Sequence, residues 1–425
     1  MTIHTVKPGE SVYSIARQYK VPMERIISDN ELTDPGRLAV GQTLVIRYPK
    51  EYHIVEPGET LVSIAMRHDM TVNEIFQLNP SLGGQAKIEP GQTLILSLTQ
   101  PKQGTIATNG YLYPNIDRLT LRKALPFLTY ASVFSYGFTP EGDLLQQEDG
   151  AVVTIIRSYG TKPMLVLTTL GADGLFSSER ASVLLRNEAA QDRLLAQLAE
   201  TMARKGYAGL DIDFEYIPPE DADAYAAFVK KAEETLGAKG YEVFVALAPK
   251  TSRTQKGLLY EAHDYAALGN AADSALLMTY EWGYSRSAPM AVAPINKVRQ
   301  VVDFALTEIP ASKLFLGMPN YGYDWTLPYV QGVSVARSIG NVEAVQQAIE
   351  QNAAIEYDWT AQSPHYNYYH SRIGHEVWFE DARSVAAKLA LASEKKLRGV
   401  SIWSLMKWFP QLWLLIGSLY NIEKR

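Results

Sequence analysis

The sequence predicts an α/β protein in which a (β/α)8 TIM barrel with a small α+β insertion follows two small βααβ domains. Two observations lead to this prediction. The first hundred residues contain an internal repeat, and the rest of the chain alternates apolar strand-like runs with amphipathic helical patterns. At 425 residues, of which 47% are hydrophobic, the chain is long enough for several folded units and a sizeable core.

The N-terminal repeat has a spacing of about 49 residues. Residues 6–16 return with substitutions at 55–65, and the Gly-Gln-Thr-Leu motif at 41–44 returns at 91–94. Each copy reads as a strand, a Pro-Gly turn, two helices and a closing strand. The repeat therefore predicts two copies of one small βααβ fold.

The remainder of the chain contains eight strand-like runs, separated by helical patterns such as 191–205 and 221–236. The eight runs are residues 108–113, 130–136, 164–169, 209–215, 243–248, 274–280, 313–318 and 400–405. Strands that alternate with helices in this way predict a TIM barrel. The connection between the seventh and eighth runs is too long, and its helical pattern at 341–351 predicts a small insertion on the active face of the barrel.

These patterns divide the chain into four parts and one insertion. The predicted parts are a first repeat at 1–48, a second repeat at 50–97, a linker at 98–107, and a barrel at 108–425 with an insertion at about 326–375.

The composition narrows the classes of function. A net charge of −6 does not provide the basic surface that phosphate binding needs, so we expect no nucleic-acid partner. The absence of cysteine excludes disulfides, thiol catalysis and thiolate metal sites. We find no basic segment followed by an apolar core at the N-terminus, and the late apolar run at 412–416 is too short to span a bilayer. We therefore expect a monomer made in the cytoplasm without a signal peptide, with no membrane insertion and no cofactor.

The fourth strand-like run carries three acids, Asp211, Asp213 and Glu215, which alternate with apolar residues. Successive side chains of a strand point to opposite faces, so the three acids share one face. Neighbouring buried carboxylates repel each other, and at least one should hold a proton near neutral pH. A proton held in this way is what a general acid needs, so the run predicts a hydrolase that protonates a leaving oxygen.

Over residues 108–425 the chain resembles the family 18 glycoside hydrolases. Their fourth-strand motif is Asp-Gly-x-Asp-x-Asp-x-Glu, and this sequence matches it at Gly209, Asp211, Asp213 and Glu215. Ala208 replaces the first aspartate of the motif. We therefore expect Asp211 to take a different hydrogen-bond partner.

The resemblance implies a substrate-assisted retaining mechanism. Glu215 would protonate the glycosidic oxygen and later activate water, while the 2-acetamido oxygen of the substrate attacks C1. Asp213 would orient the acetamido N–H, and Asp211 would tune Asp213. Tyr280 matches the sixth-strand tyrosine that binds the acetamido carbonyl, and Trp403 matches the eighth-strand tryptophan beneath the −1 sugar.

Four further residues follow the sixth and seventh strands, where barrel active sites lie. These candidate substrate contacts are Glu281, Trp282, Tyr321 and Asp324. Glu281 and Asp324, together with Trp325, could instead only stabilise the rim of the cleft. The acidic run could also bind calcium or magnesium, but such sites use Gly-rich turns and mixed oxygen ligands. His365, His370 and His375 lack the carboxylate pattern of a zinc site, so we expect no metal.

The repeated module resembles the LysM domain, which binds polymers that contain N-acetylglucosamine, such as peptidoglycan and chitin. Both copies carry its Pro-Gly-Glu-[Ser/Thr] turn and its Gly-Gln-Thr-Leu closing strand. The resemblance implies a shallow groove between the Pro-Gly loop and the residues after the second helix. The candidate glycan-binding residues are Gly9, Glu10, Ser11 and Asn30 in the first copy and Gly58, Glu59, Thr60 and Asn79 in the second. The same turns could serve only to stabilise two small folds.

Two LysM copies with a family 18 barrel and no cysteine resemble the spore cortex-lytic N-acetylglucosaminidases of endospore-forming bacteria. This resemblance implies hydrolysis of the bond after N-acetylglucosamine in cortex peptidoglycan during germination, by a protein located in the spore. Two alternatives remain open. One is a chitinase, which shares the barrel and the acetamido chemistry. The other is a non-catalytic glycan-binding coat protein, although such proteins usually lose the acid that stands here as Glu215.

Overall fold

The computed structural model describes residues 1–171 and 174–424, so residue 425, the last of the predicted barrel, lies outside it. The chain begins with two βααβ modules, each with an antiparallel strand pair and its own apolar core. Their elements are β1 (Thr2–Thr5), α1 (Val12–Tyr19), α2 (Met23–Asp29), β2 (Thr43–Ile46), β3 (Pro49–Ile54), α3 (Leu61–Arg67), α4 (Val72–Leu78) and β4 (Thr93–Leu98).

The barrel follows the second module. Its first seven strands and the two-residue strand β7 are β5 (Gly104–Leu112), β6 (Tyr130–Phe138), β7 (Leu144–Leu145), β8 (Lys162–Thr168), β9 (Gly209–Asp213), β10 (Glu242–Leu247), β11 (Ser274–Leu277) and β12 (Leu314–Pro319). The helices between them are α5 (Arg118–Ala124), α6 (Gly150–Ser158), α7 (Ser178–Leu185), α8 (Glu188–Lys205), α9 (Ala222–Gly237), α10 (Tyr265–Ala271) and α11 (Ile295–Glu308).

An insertion follows β12 and forms a five-stranded antiparallel sheet with one helix. Its elements are β13 (Gly322–Leu327), β14 (Arg337–Ile339), α12 (Asn341–Glu350), β15 (Glu356–Asp358), β16 (Ser363–His370) and β17 (Ile373–Trp378). The sheet starts four residues before the predicted insertion and ends three residues after it, because its first and fifth strands in sequence, β13 and β17, pair with each other.

The chain then returns to the barrel through four last elements. These are α13 (Ala382–Glu394), β18 (Gly399–Trp403), α14 (Pro410–Leu419) and β19 (Tyr420–Ile422). Strand β5 pairs in parallel with both β18 and β6, which closes a ring of eight parallel strands. The predicted eight-stranded barrel is thereby confirmed. Strand β19 pairs with the start of β5 from Gly104, so the second half of the predicted linker at 98–107 is strand rather than coil.

Two apolar layers stabilise the barrel. The larger layer lies between the strands and the surrounding helices and contains Leu210, Ile212 and Phe214 of the acidic run. A smaller cluster fills the barrel interior and includes Tyr130, Phe244 and Phe315. Side chains of alternate strand positions therefore face different layers, and positions 211 and 213 face the interior.

The first LysM-like module packs against α14 and the insertion. The Gln411 amide donates to the backbone oxygen of Thr43 at 2.6 Å and accepts from its hydroxyl at 2.9 Å. Glu31 accepts from Lys123 at 2.6 Å and from the Trp408 indole at 3.0 Å. Through Gln411 and Trp408 this module contacts the start of α14, beyond the carboxyl end of β18, and through Lys123 it contacts the C-terminal end of α5.

The second module packs against the loops that precede β6 and β8. The Gln77 amide donates to the Pro126 carbonyl at 2.7 Å, and the Asn73 amide donates to the Tyr159 carbonyl at 2.8 Å. These loops lie at the amino ends of the strands, so the second module contacts the face opposite the candidate active site. Within the described residues, no helix is both long and apolar enough to cross a membrane.

A pair of equivalent glycines allows the first interface to be tested. Gly41 and Gly91 hold the same place in the repeat, with φ of 85° and 86°. A Cβ on Gly41 would lie 1.8 Å from the Ile355 carbonyl oxygen of the insertion, whereas one on Gly91 meets nothing within 4 Å. We expect Gly91→Ala to cost about 1–2 kcal/mol from the left-handed backbone alone. Gly41→Ala should cost at least about 1 kcal/mol more, because the module must also move away from the insertion.

Thermal unfolding of both variants, with limited proteolysis of the module boundary at 47–50, measures this difference. Equal melting temperatures and equal cleavage rates for the two variants would contradict the docking of the first module on the insertion.

Candidate active site

The acidic run lies at the carboxyl end of β9. The strand ends at Asp213, and Glu215 follows two residues later in the loop above the barrel. Asp211 is fully buried, Asp213 is 7% exposed, and Glu215 is half-buried at the opening. The three carboxyl groups therefore form a series from the barrel interior to its mouth, on the face that the alternation predicts.

Asp211 has the hydrogen-bond partner that the substitution at Ala208 left open. The Ser132 hydroxyl of β6 donates to its Oδ2 at 2.9 Å. Burial raises the pKa of Asp211 to about 6, while the hydroxyls of Tyr111 and Ser132 oppose that rise. Ala208 itself uses its backbone groups to bond Pro163 and Glu242. The hydroxyl groups that act on Asp211 thus come from β5 and β6, across the barrel interior.

Asp213 lies between the other two acids. Burial raises its pKa well above the ordinary value, and the nearby charges of Glu215 and Asp211 raise it further. Among the described residues, no donor reaches its Oδ1. A buried carboxyl oxygen without an internal donor favours a protonated group or a hydrogen bond from a ligand.

Glu215 is placed to carry a proton into the cleft. Burial raises the pKa of its carboxyl group, and the charge of Glu281 raises it further. The Glu281 carboxylate accepts hydrogen bonds from the hydroxyls of Tyr321 and, at 3.0 Å, of Tyr323. The pKa of Glu281 is itself raised by burial and lowered again by these two tyrosines. Its charge is thus held beside the candidate acid by residues of the insertion and of the loop before it.

Five of the predicted site residues line one cleft of about 560 Å³: Asp213, Glu215, Tyr280, Glu281 and Trp403. A cleft of this size is typical of a ligand site. The Trp403 ring packs against the cluster that fills the barrel interior, with ring centroids 5.3 Å from Tyr111 and 5.2 Å from Phe134. Among the described residues, no cluster of three or more possible metal ligands is found.

Two of the predicted substrate contacts lie elsewhere. Asp324 is buried in the insertion, where it accepts from His375 at 2.9 Å and from the Tyr368 hydroxyl at 2.8 Å. Gln347 and Arg337 donate to it as well, so this carboxylate joins the sheet of the insertion to its helix. Trp282 is not in the cleft lining and packs against the barrel core. Tyr321 is also absent from the cleft lining, and its hydroxyl instead donates to the carboxylate of Glu281, which is part of the lining.

The LysM candidates also separate into two groups. Asn30 and Asn79 are buried and bond the backbone of their own modules, Asn30 to Ile26 and Val45, and Asn79 to the equivalent positions. Their amides stabilise the fold, which argues against direct sugar contacts. The exposed or partly exposed candidates are Gly9, Glu10, Ser11, Gly58, Glu59 and Thr60.

Four of these candidates already use part of their hydrogen-bonding capacity within the two turns, so fewer of their atoms are available to a ligand. Ser11 and Thr60 are N-caps of α1 and α3. Glu10 accepts from the imidazole of His4 at 2.9 Å, and Glu59 from that of His53 at 2.6 Å. Their remaining exposed atoms, with the backbone at Gly9 and Gly58, form the accessible surface of the two turns.

Several cleft residues were not predicted from the sequence. They are Tyr111, Tyr113, Phe134, Phe176, Tyr216, Pro249, Leu259, Tyr260, Met278 and Tyr284. Tyr111 and Tyr113 lie at the end of the first strand, so the rule that placed the acids could have found them, whereas Phe134 lies in the middle of β6. Phe176, Tyr260 and Tyr284 come from loops, for which no sequence signal exists.

The fold and the cleft agree with comparisons to known proteins. Residues 156–407 match the model of the glycosyl hydrolases family 18, and residues 4–47 and 53–97 match the LysM domain. The chain belongs to family 18 of the glycosyl hydrolases and carries two LysM domains. It is therefore a glycoside hydrolase by family.

Particular relatives match the whole chain. The cortical fragment-lytic enzyme of Bacillus subtilis (strain 168) is 40% identical, with 100% of this chain and 99% of the relative covered. The crystal structure of the spore cortex-lytic enzyme SleL of Bacillus megaterium QM B1551 matches with a TM-score of 0.84 and 37% identity, covering 100% of this chain and 99% of that one. A chitinase of Chromobacterium violaceum ATCC 12472, at 23% identity and a TM-score of 0.68 over 74% of this chain and 98% of its own, shares the fold.

The electrostatic effect of Glu281 on Glu215, both of which line the cleft, leads to a pH prediction. A negative Glu281 disfavours ionisation of Glu215, so Glu281→Gln should lower the pKa of Glu215. Glu215 would then lose its proton at lower pH, and the alkaline limb of the kcat/KM profile should move to lower pH. Glu356→Gln, which alters an exposed glutamate on the outer strand of the insertion, serves as the control. An alkaline limb that stays in place in Glu281→Gln would contradict this electrostatic link.

Proposed function

We propose that this protein hydrolyses the peptidoglycan of the spore cortex, or fragments of it, at the bond that follows N-acetylglucosamine. The observation that carries the proposal is the cleft with Glu215, Asp213, Tyr280 and Trp403, in a chain that matches cortical fragment-lytic relatives from end to end. Retention of the three acids argues against a purely structural coat protein. The same relatives support a role in germination and a location in the spore.

The chemistry starts with protonation of the leaving oxygen. Glu215 is the general acid, because burial and the charge of Glu281 raise its pKa and its carboxyl group borders the cleft. The 2-acetamido oxygen of the substrate attacks C1 from the opposite face, so no second protein carboxylate is needed as nucleophile. Glu215 then returns as general base and activates the water that opens the cyclic intermediate.

The remaining residues hold the acetamido group. Asp213 has an acceptor oxygen without an internal donor, which suits it to the acetamido N–H and to the positive charge that develops on the ring. Tyr280 borders the same cleft and donates its hydroxyl to the acetamido carbonyl. Trp403 stacks beneath the sugar, on a base formed by Tyr111 and Phe134. Asp211, which lies deeper in the barrel, disfavours ionisation of Asp213.

The mechanism also selects the bond. A sugar in the −1 position must have a free acetamido group, and a muramic acid lactam has its nitrogen tied into a ring. N-acetylglucosamine is therefore the −1 sugar, and cleavage leaves it at the new reducing end. The exposed turns of the two LysM domains, around Gly9 and Gly58, bind the same polymer, and the protein acts as a monomer.

Glu215→Gln tests the assignment of the acid. The amide cannot donate the required proton, so we expect activity on cortex fragments to fall by about 10²–10⁴-fold, while binding to insoluble sacculi is retained. Glu220→Gln is the matched control, since Glu220 is exposed in the same loop region and lies outside the cleft. Near wild-type hydrolysis by Glu215→Gln would overturn the catalytic assignment.

The products identify the bond and the substrate. Digests of cortex fragments, reduced with borohydride and analysed by mass spectrometry, should contain reduced N-acetylglucosamine at the new ends. Reduced muramic acid would refute the proposed bond. Hydrolysis of chitin oligomers together with inactivity on intact and pre-cut cortex would instead favour a chitinase.

A further inference from the structure

A fully buried histidine lies beside the catalytic strand and is not used by the chemistry above. His263 is 0% exposed and comes from the loop between β10 and α10. Its Nδ1 accepts from the backbone N–H of Ala248 at 3.1 Å, and its Nε2 lies 3.1 Å from the carbonyl oxygen of Phe214. Because one ring nitrogen accepts, the other must be the protonated nitrogen that donates to Phe214.

The two backbone groups that His263 joins both lie just beyond paired strands. The register between β9 and β10 ends with Ile212 opposite Val245, and β10 itself ends at Leu247. The Phe214 carbonyl and the Ala248 N–H therefore come after the last rung of the ladder between these strands. A neutral imidazole spans the gap and gives each of them a partner, which buried backbone groups need.

The Phe214 carbonyl lies in the peptide bond that immediately precedes Glu215. It belongs to the peptide unit whose N–H is that of Glu215, and Asp213 precedes the same residue. A hydrogen bond to this oxygen restrains the rotation of that peptide plane. The direction in which the Glu215 side chain leaves the backbone depends on this rotation, so the bond acts on the candidate acid without touching substrate.

His263 is itself firmly held. Its backbone N–H donates to the Tyr260 carbonyl at 3.1 Å, and its carbonyl accepts from Lys250 Nζ at 3.0 Å. The next residue, Asp264, caps the N-terminus of α10. The imidazole lies edge-on to the Tyr225 ring, with centroids 5.9 Å apart. Both the position and the orientation of the ring are thus determined by its surroundings.

The charge state fits this role. Burial lowers the pKa of His263 to about 4, and the positive charge of Lys250 lowers it further, while the Phe214 carbonyl opposes the shift. The ring therefore remains neutral at the pH of cells. Neutrality is required, because a doubly protonated ring would place a second donor against the Ala248 N–H.

We propose that His263 is a positioning residue for Glu215, which it orients by bonding the Phe214 carbonyl across the gap between the ends of β9 and β10. This inference rests on the proposed role of Glu215 as general acid. It predicts that loss of the bridge lowers the rate of the chemical step more than it weakens substrate binding. A side chain that only filled the core would change the stability of the protein without lowering kcat more than it weakens substrate binding.

Three variants separate the possibilities. His263→Leu removes both hydrogen bonds at similar volume, and we expect kcat on cortex fragments to fall by about 10–100-fold with KM changed by less than about threefold. His263→Gln keeps an acceptor and a donor on a side chain of similar reach and should recover most of the lost kcat. Tyr265→Phe is the matched control, because its hydroxyl bonds Ala248 and Lys250 in the same loop but does not reach β9.

The outcomes are distinguishable from failure of the proposed function. A wild-type kcat in His263→Leu, or an equal loss in Tyr265→Phe, would overturn the positioning role even if Glu215→Gln is inactive. Activity in Glu215→Gln would instead overturn the assignment of the acid. If His263→Leu does not fold, His263→Asn takes its place, since its shorter side chain cannot reach both partners; a kcat equal to that of His263→Gln would then refute the proposal.

Discussion

The desolvation of carboxyl groups at the end of β9 is the constraint on which the site depends. Water would stabilise the ionised form of these acids, and the barrel interior removes that stabilisation, so the pKa values of Asp211, Asp213 and Glu215 all rise. The same burial that makes the ionised acids costly favours their protonated forms, which is what the proposed general acid requires. The surrounding structure has to supply hydrogen-bond donors to these carboxyl groups without lowering their pKa values so far that the proton is lost.

The neighbouring elements meet this requirement unequally. Oδ2 of Asp211 accepts from the Ser132 hydroxyl, and the Glu281 carboxylate accepts from two tyrosine hydroxyls, whereas Oδ1 of Asp211 and Oδ1 of Asp213 have no donor among the described residues. Of these two acids only Asp213 lines the cleft, so under the proposed mechanism its unpaired oxygen is the one that the substrate can reach. His263 provides the same kind of compensation for the backbone, because it bonds the Phe214 carbonyl and the Ala248 N–H beyond the last paired residues of β9 and β10.

Each of the two LysM domains makes specific contacts with the barrel in addition to having its own apolar core. Side-chain amides such as Gln411 and Gln77 connect each module to a different end of the barrel. The sequence repeat makes the two modules similar, but only Gly41 lies against the insertion. Equivalent positions in the repeat therefore have different roles. Sequence similarity between the copies cannot reveal which of two equivalent residues contacts the rest of the protein.

The sequence by itself determined the barrel, the two modules and the acidic face, because these follow from local periodicity and short motifs that each act within one element. It also led to Glu215, Asp213, Tyr280 and Trp403 as neighbours, since strand ends of a barrel converge. Only the tertiary structure showed that Asp324 and Trp282 lie outside the cleft and that Asn30 and Asn79 are buried. It also placed Ser132 against Asp211, Phe176 in the cleft lining, and His263 against the Phe214 carbonyl. Those placements depend on loops and on contacts between distant segments, which no pattern within one segment encodes.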